Sequence, residues 1–211
     1  MKTFQLIRVV VPISVVAISS LSLGQIFDFE SEAATGVSSG GLTTLSMTNT
    51  GLTMTITRPG GVAFDIVDNV AQPGKPASWG NRSLSPFFNT SGGAFIFDFS
   101  TDIDFFTIEA GDYGADSDDI VLEAWSGLGG TGTLVATAGQ SYGTSAFTTV
   151  ITTGSAIPGV ARSIIVKGGS SGFPDSLFWD NIEAHAAPVP EPATFAILGI
   201  GAVALLRRKK K

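Results

Sequence analysis

The feature that most constrains this chain is a period of two. Leu45 and Met47, then Leu52, Met54 and Ile56, alternate with Ser and Thr on either side of Asn49-Thr50-Gly51. Apolar side chains two residues apart share one face of an extended strand, and an N-x-G step between two such runs is hairpin chemistry. Strand character returns at Val62 to Val67, Ala94 to Phe99, Phe105 to Ala110 and Ile120 to Trp125. It returns again at Thr133 to Thr137, Phe147 to Thr152, Ser163 to Val166 and Leu177 to Ala184. Phe95, Phe97 and Phe99 fall on one side of their strand, as a core-facing aromatic row requires. Gly, Ser, Pro and Asp fill the spacers, and no amphipathic helix intervenes. The expected fold is all-β, a two-layer antiparallel β-sandwich of jelly-roll type over residues 25–184. No fixed-period repeat is present, which excludes a solenoid or propeller.

Charge is distributed unevenly. Seven of the twelve Lys and Arg lie at the ends, leaving five in residues 25–188 against seventeen acids, a net of about −12 for the body. A body this acidic repels nucleic-acid phosphates and attracts divalent cations. With no Cys there is neither a disulfide nor a thiol nucleophile. The single His, His185, falls in an expected linker of residues 185–188, so a Ser-His-Asp arrangement within the domain is not available. One His without Cys also disfavours zinc.

Both ends carry an apolar run flanked by basic residues. Lys2 and Arg8 precede an apolar run from Val9 to Leu23, and Ser22-Leu23-Gly24 supplies small residues for signal peptidase. Residues 1–24 are therefore expected to form a signal peptide, a helix removed by a cut before Gln25. At the other end, Val189-Pro190-Glu191-Pro192-Ala193-Thr194 leads into an apolar stretch over 193–206 and the basic cluster Arg207 to Lys211. Fourteen residues of helix span about 21 Å, short of the roughly 30 Å of a bilayer core, so this transmembrane helix suits a temporary anchor. The five terminal cations hold the cytoplasmic side.

Val189, Pro190, Glu191 and Pro192, the short helix and the basic end resemble the PEP-CTERM sorting signal over residues 189–211. Ala193 stands where that family usually has Ser. The resemblance implies processing by exosortase in a Gram-negative bacterium that makes exopolysaccharide. The implied route is export, transient anchoring in the inner membrane, then release to the cell surface or extracellular matrix. It gives a destination and leaves the activity open.

Two acidic segments are candidate metal sites. Asp112, Asp116, Asp118 and Asp119 crowd one loop, which is either a solvated turn or a Ca2+ loop. It is not an EF-hand, because Gly114 and Ser117 occupy the wrong positions. Phe27-Asp28-Phe29-Glu30 opens the domain and Phe178-Trp179-Asp180-Asn181-Ile182 closes it. This pairing resembles carbohydrate-binding jelly rolls, whose first and last strands lie side by side and share a structural Ca2+. The resemblance implies Glu30 and Asp180 as ligands, with Asp28 as a third.

Sugar recognition stacks aromatic rings beside polar groups. Trp79, within the strandless stretch Gln72 to Asn89, is expected to be an exposed platform with Arg82 beside it; Trp125 and Tyr142 are further candidates. The leading expectation is a non-enzymatic exported protein that binds exopolysaccharide. The alternatives are a glycan-active hydrolase or lyase, which needs only two facing carboxylates, and a purely structural envelope or biofilm protein.

Overall fold

The computed structural model describes residues 24–35, 41–70, 75–86, 93–112, 114, 116–142, 151–154, 156–174 and 176–188. The sorting motif, the apolar C-terminal stretch, the basic tail and all of the signal segment except Gly24 lie outside the described residues. Among the described residues there are eleven strands: β1 (Gln25–Phe27), β2 (Thr44–Asn49), β3 (Leu52–Thr57), β4 (Asp65–Asp68), β5 (Arg82–Ser85), β6 (Phe95–Gly111), β7 (Asp118–Trp125), β8 (Leu134–Tyr142), β9 (Ile151–Thr153), β10 (Ala156–Gly169) and β11 (Phe178–Ala186). Among the described residues the only helices are three short 3-10 turns, at Pro59–Gly61, Ala77–Trp79 and Leu128–Gly130.

All strands belong to one open antiparallel sheet of order β4-β5-β11-β6-β10-β7-β8, with β1 on β11, β3 and β9 on β6, and β2 on β3. The centre of this arrangement is β6. Its seventeen residues join two segments that the alternation separates. The first half, from Ile96 to Phe99, pairs with β3, and the second half, from Ile103 to Gly111, pairs with β11. Phe97 and Phe106 would stand about 30 Å apart on a straight strand, yet their ring centroids are 6.0 Å apart. Phe99 and Phe106 meet edge to face at 6.2 Å. The strand therefore bends back on itself, and its halves carry the facing layers of a β-sandwich.

The β2–β3 hairpin has Met47 opposite Met54 and Leu45 opposite Ile56. Its two loop residues, Thr50 (φ 48) and Gly51 (φ 87), both have positive φ, the primed turn that matches strand twist. Alternation then sorts the faces. Leu52, Met54 and Ile56 are buried, and along β6 so are Phe95, Phe97 and Phe99. They join Phe27, Phe29, Phe64, Ile108, Ile120, Ile164, Trp179 and Ile182 in one core. Each such side chain contributes about 1.5–3 kcal/mol by leaving water.

The strand pattern also departs from the expected one elsewhere, with β8 and β10 running past their expected bounds. The stretch Gln72 to Asn89 contains β5, whose Leu84 is paired with Trp179 of β11. A three-residue strand at Gln25–Phe27 opens the domain. The last strand continues through His185 to Ala186, so His185 is not in a linker; its ring stacks on Phe105 at 4.3 Å. Residues 147–150 of the expected strand ending at Thr152 lie outside the described residues.

Candidate functional site

The first and last strands lie side by side, with Gln25 opposite Ala184, Ile26 opposite Glu183 and Phe27 opposite Ile182. Asp28 and Glu30 follow immediately. Phe29 takes φ 60 and is fully buried, which turns its ring inward while Asp28 and Glu30 stay exposed. A bulky residue seldom adopts that φ, so packing of the ring has to hold it there. Asn181 also has positive φ, at 46, where the β11–β6 register slips between Asp180 and Glu183.

These two irregular steps gather carboxylates. Asp180 is completely enclosed and lies opposite Glu109 of β6. Its Oδ1 accepts the Asn181 amide at 2.7 Å, whereas its Oδ2 is buried without a hydrogen-bond partner. Burial pushes the Asp180 carboxyl up to about 9. The Asn181 amide opposes that rise, and the charges of Glu109, Glu30 and Asp28 add to it. Asp180 is thus a neutral acid at ordinary pH, with three further carboxylates in electrostatic range.

The neighbours are held separately. Glu30 Oε1 accepts the amides of Asn81 at 2.6 Å and Arg82 at 2.8 Å, which fastens the segment after β1 to the start of β5. Gly80, at φ 47, allows this approach, because a methyl there would overlap the Glu30 carboxylate. Asp28 Oδ1 accepts the Glu30 amide at 3.2 Å. Glu109 Oε2 accepts from Ser78 Oγ at 3.0 Å and from Asn181 Nδ2 at 2.8 Å. Among the described residues, no three or more His, Cys, Asp or Glu side chains are grouped as they stand to hold a metal ion. Glu109 escapes sequence reasoning because it sits in an ordinary strand position, and only the β6–β11 register brings it to Asp180.

The acidic loop is divided by strand geometry. The Asp112 and Asp116 carboxylates both lie against Gly114, where a methyl would sit 2.6 Å from Asp116 Oδ1. Asp118 is buried at the start of β7, while Asp119 is exposed on the opposite face of the strand. The four acids therefore do not converge.

The expected aromatic platform is not assembled. Trp79 is 1% exposed and packs with Val67 and Phe178 beneath the sheet edge. A methyl at Gly111 would lie 2.8 Å from its ring, so the strand gives the indole its space. Trp79 is in a loop by sequence, but neighbours distant in the chain bury it. Arg82 is tied to Asp68 by an ion pair of 2.9 Å. Trp125 is half-buried at the end of β7, opposite Ser163 of β10 and Leu134 of β8. Tyr142 ends β8, and its side chain lies outside the described residues.

Two hollows open nearby. One, of about 250 Å³, is lined by Ile26, Ser78, Thr107, Glu109, Thr152, Asn181 and Glu183. It borders the carboxylate cluster and offers hydroxyl, amide and acid groups. The other, of about 450 Å³, is bounded by Phe106, Leu122, Ala136, Pro158 and Ile164 among others, and it has no charged lining residue.

No curated protein matches the chain. Residues 188–211 match the PEP-CTERM protein-sorting motif. The motif identifies an exported protein whose C-terminal anchoring signal is processed by exosortase.

Proposed function

We propose that the β-sandwich body is a non-enzymatic surface or matrix module that associates with the exopolysaccharide of a Gram-negative cell. The observation that carries this reading is the sorting motif on an acidic all-β body. The contact surface we assign is the hollow beside β1 and β11, since Ser78, Thr107, Thr152 and Asn181 suit sugar hydroxyls. It replaces Trp79, which is buried. The processed chain is expected to be retained by the organism's own exopolysaccharide, and Asn181→Ala is expected to weaken that retention. Absence of retention by the wild-type chain rejects the reading.

In this reading Ca2+ has a structural role. The buried, unpartnered Asp180 Oδ2 beside Asp28, Glu30 and Glu109 is a concentration of negative charge that a divalent cation relieves. Calcium would take the place of the proton on Asp180, with Glu30 and Asp28 closing around it.

A glycan-active enzyme is the second reading. What favours it is the neutral Asp180 lying directly opposite Glu109, two carboxyl side chains brought together by one strand pair. Against it, Asp180 has no exposed surface with which to meet a substrate. Shortening of the polymer on incubation, abolished by Glu109→Gln, would favour the enzyme.

A further inference from the structure

The body begins where the signal peptide is expected to end. β1 starts at Gln25, and Gly24 is its exposed neighbour. Gly24 lies directly against two side chains of β11: a methyl there would overlap Glu183 Oε1 and sit 2.6 Å from His185 Nε2. Glu183 Oε1 and His185 Nε2 are 3.0 Å apart, and the imidazole is stacked on Phe105 at 4.3 Å. From the Gly24 Cα to the Gln25 nitrogen is about 2.4 Å of covalent chain, so that nitrogen lies within about 6–7 Å of the pair.

In the uncut chain this nitrogen is a neutral amide. A cut before Gln25 turns it into an α-ammonium at the same corner of the sheet. We infer that this corner is a capture site for the chain's own processed N-terminus. Glu183 takes the Gln25 ammonium as its ion-pair partner, and the β1–β11 pair keeps the glutamine in its open form. The inference rests on the expected cut before Gln25.

A free N-terminal glutamine is chemically unstable. Its neutral amine attacks the side-chain Cδ, a new C–N bond forms, the amide C–N bond breaks and ammonia leaves, giving the lactam with no change of oxidation state. Two features of this corner oppose the reaction. A carboxylate beside the amine keeps it protonated and so not nucleophilic. The Gln25 side chain is also held, at 8% exposure, within the fold. Of the two acids of the adjoining hollow, Glu109 is held by Ser78 and Asn181, whereas Glu183 is the one that lies against Gly24.

The test is to express the full chain with its own signal, isolate the exported product, and follow its N-terminus by sequencing and intact mass. The expected first residue is Gln25, unblocked, with slow loss of ammonia at neutral pH. Glu183→Gln should speed that loss roughly threefold, the size an exposed ion pair supports, while Glu183→Asp restores the slow rate. Circular dichroism must first show the variants folded. If Glu183→Gln does not fold, the wild-type rate is compared at low and molar salt, where screening should accelerate it. A different first residue removes the cut on which the inference rests. A chain that starts at Gln25 but is already cyclised, or whose rate ignores both the Glu183→Gln change and salt, overturns the capture alone.

Discussion

At the scale of single residues, Asp180 has the largest consequence. Its carboxyl is raised from the ordinary 3.8 to about 9, first by burial and then by Glu109, Glu30 and Asp28. Between those values the folded chain keeps a proton that the unfolded chain has released. The contribution of Asp180 to stability is therefore fully present below about pH 4 and is lost as pH rises toward 9, by at most about 1.4 kcal/mol per unit. Asp68 acts in the opposite sense at the acid end. The Val70 amide lowers its carboxyl most, with Arg82 adding to the effect, but it is solvent-exposed and contributes little. Chelator-treated protein is expected to melt lower at pH 8 than at pH 5, and Asp180→Asn should flatten that slope. A wild-type melting temperature equal at both values would contradict the buried neutral acid.

At the scale of elements, local chemistry and long-range pairing can be told apart. The β2–β3 hairpin is local: Asn49-Thr50-Gly51 marks the turn, and the register that follows puts Met47 against Met54. Thr50 is the weak point, a β-branched residue at φ 48. Thr50→Asn supplies a residue at ease in that conformation and should raise stability by about 0.5–1 kcal/mol in urea unfolding, without altering the slope. A loss of stability would mean that the Thr50 hydroxyl, which donates to Asn49 Oδ1 at 2.8 Å, matters more than backbone strain. β5 is the contrary case. Arg82–Ser85 has no clear alternation, because Ser83, Leu84 and Ser85 are all buried. It forms a strand because β4 and β11 flank it and because Glu30 fastens its first amide. Trp79 was equally hidden in the sequence, since its neighbours Val67 and Phe178 come from β4 and β11.

At the scale of the whole molecule, the bend in β6 and the pairing of β1 with β11 close the sandwich. The first and last strands of the body, β1 and β11, meet beside the carboxylate cluster, so whatever neutralises that cluster should stabilise the entire body. In the calcium reading, Ca2+ raises the melting temperature at neutral pH, EDTA reverses the rise, and Asp180→Ala abolishes the response. An unchanged melt across Ca2+ and EDTA would remove the metal from the account. Binding to the folded state alone adds about 2.7 kcal/mol at a hundredfold excess over Kd, a shift well within calorimetric reach.

The fold class, the hairpin, the core-facing Phe row and the sorting signal were all legible along the chain. Each is written in local periodicity or in a contiguous motif, so neighbours along the chain suffice to specify it. The sequence also brought Glu30 and Asp180 forward as a pair. It took the folded chain to show that Glu109 and Asn181 join them, that Trp79 is core and that His185 belongs to the last strand. The physical reason is the same in each case. Strand register and the bend in β6 set which residues meet, and both follow from burying one shared core, which no short stretch of sequence encodes.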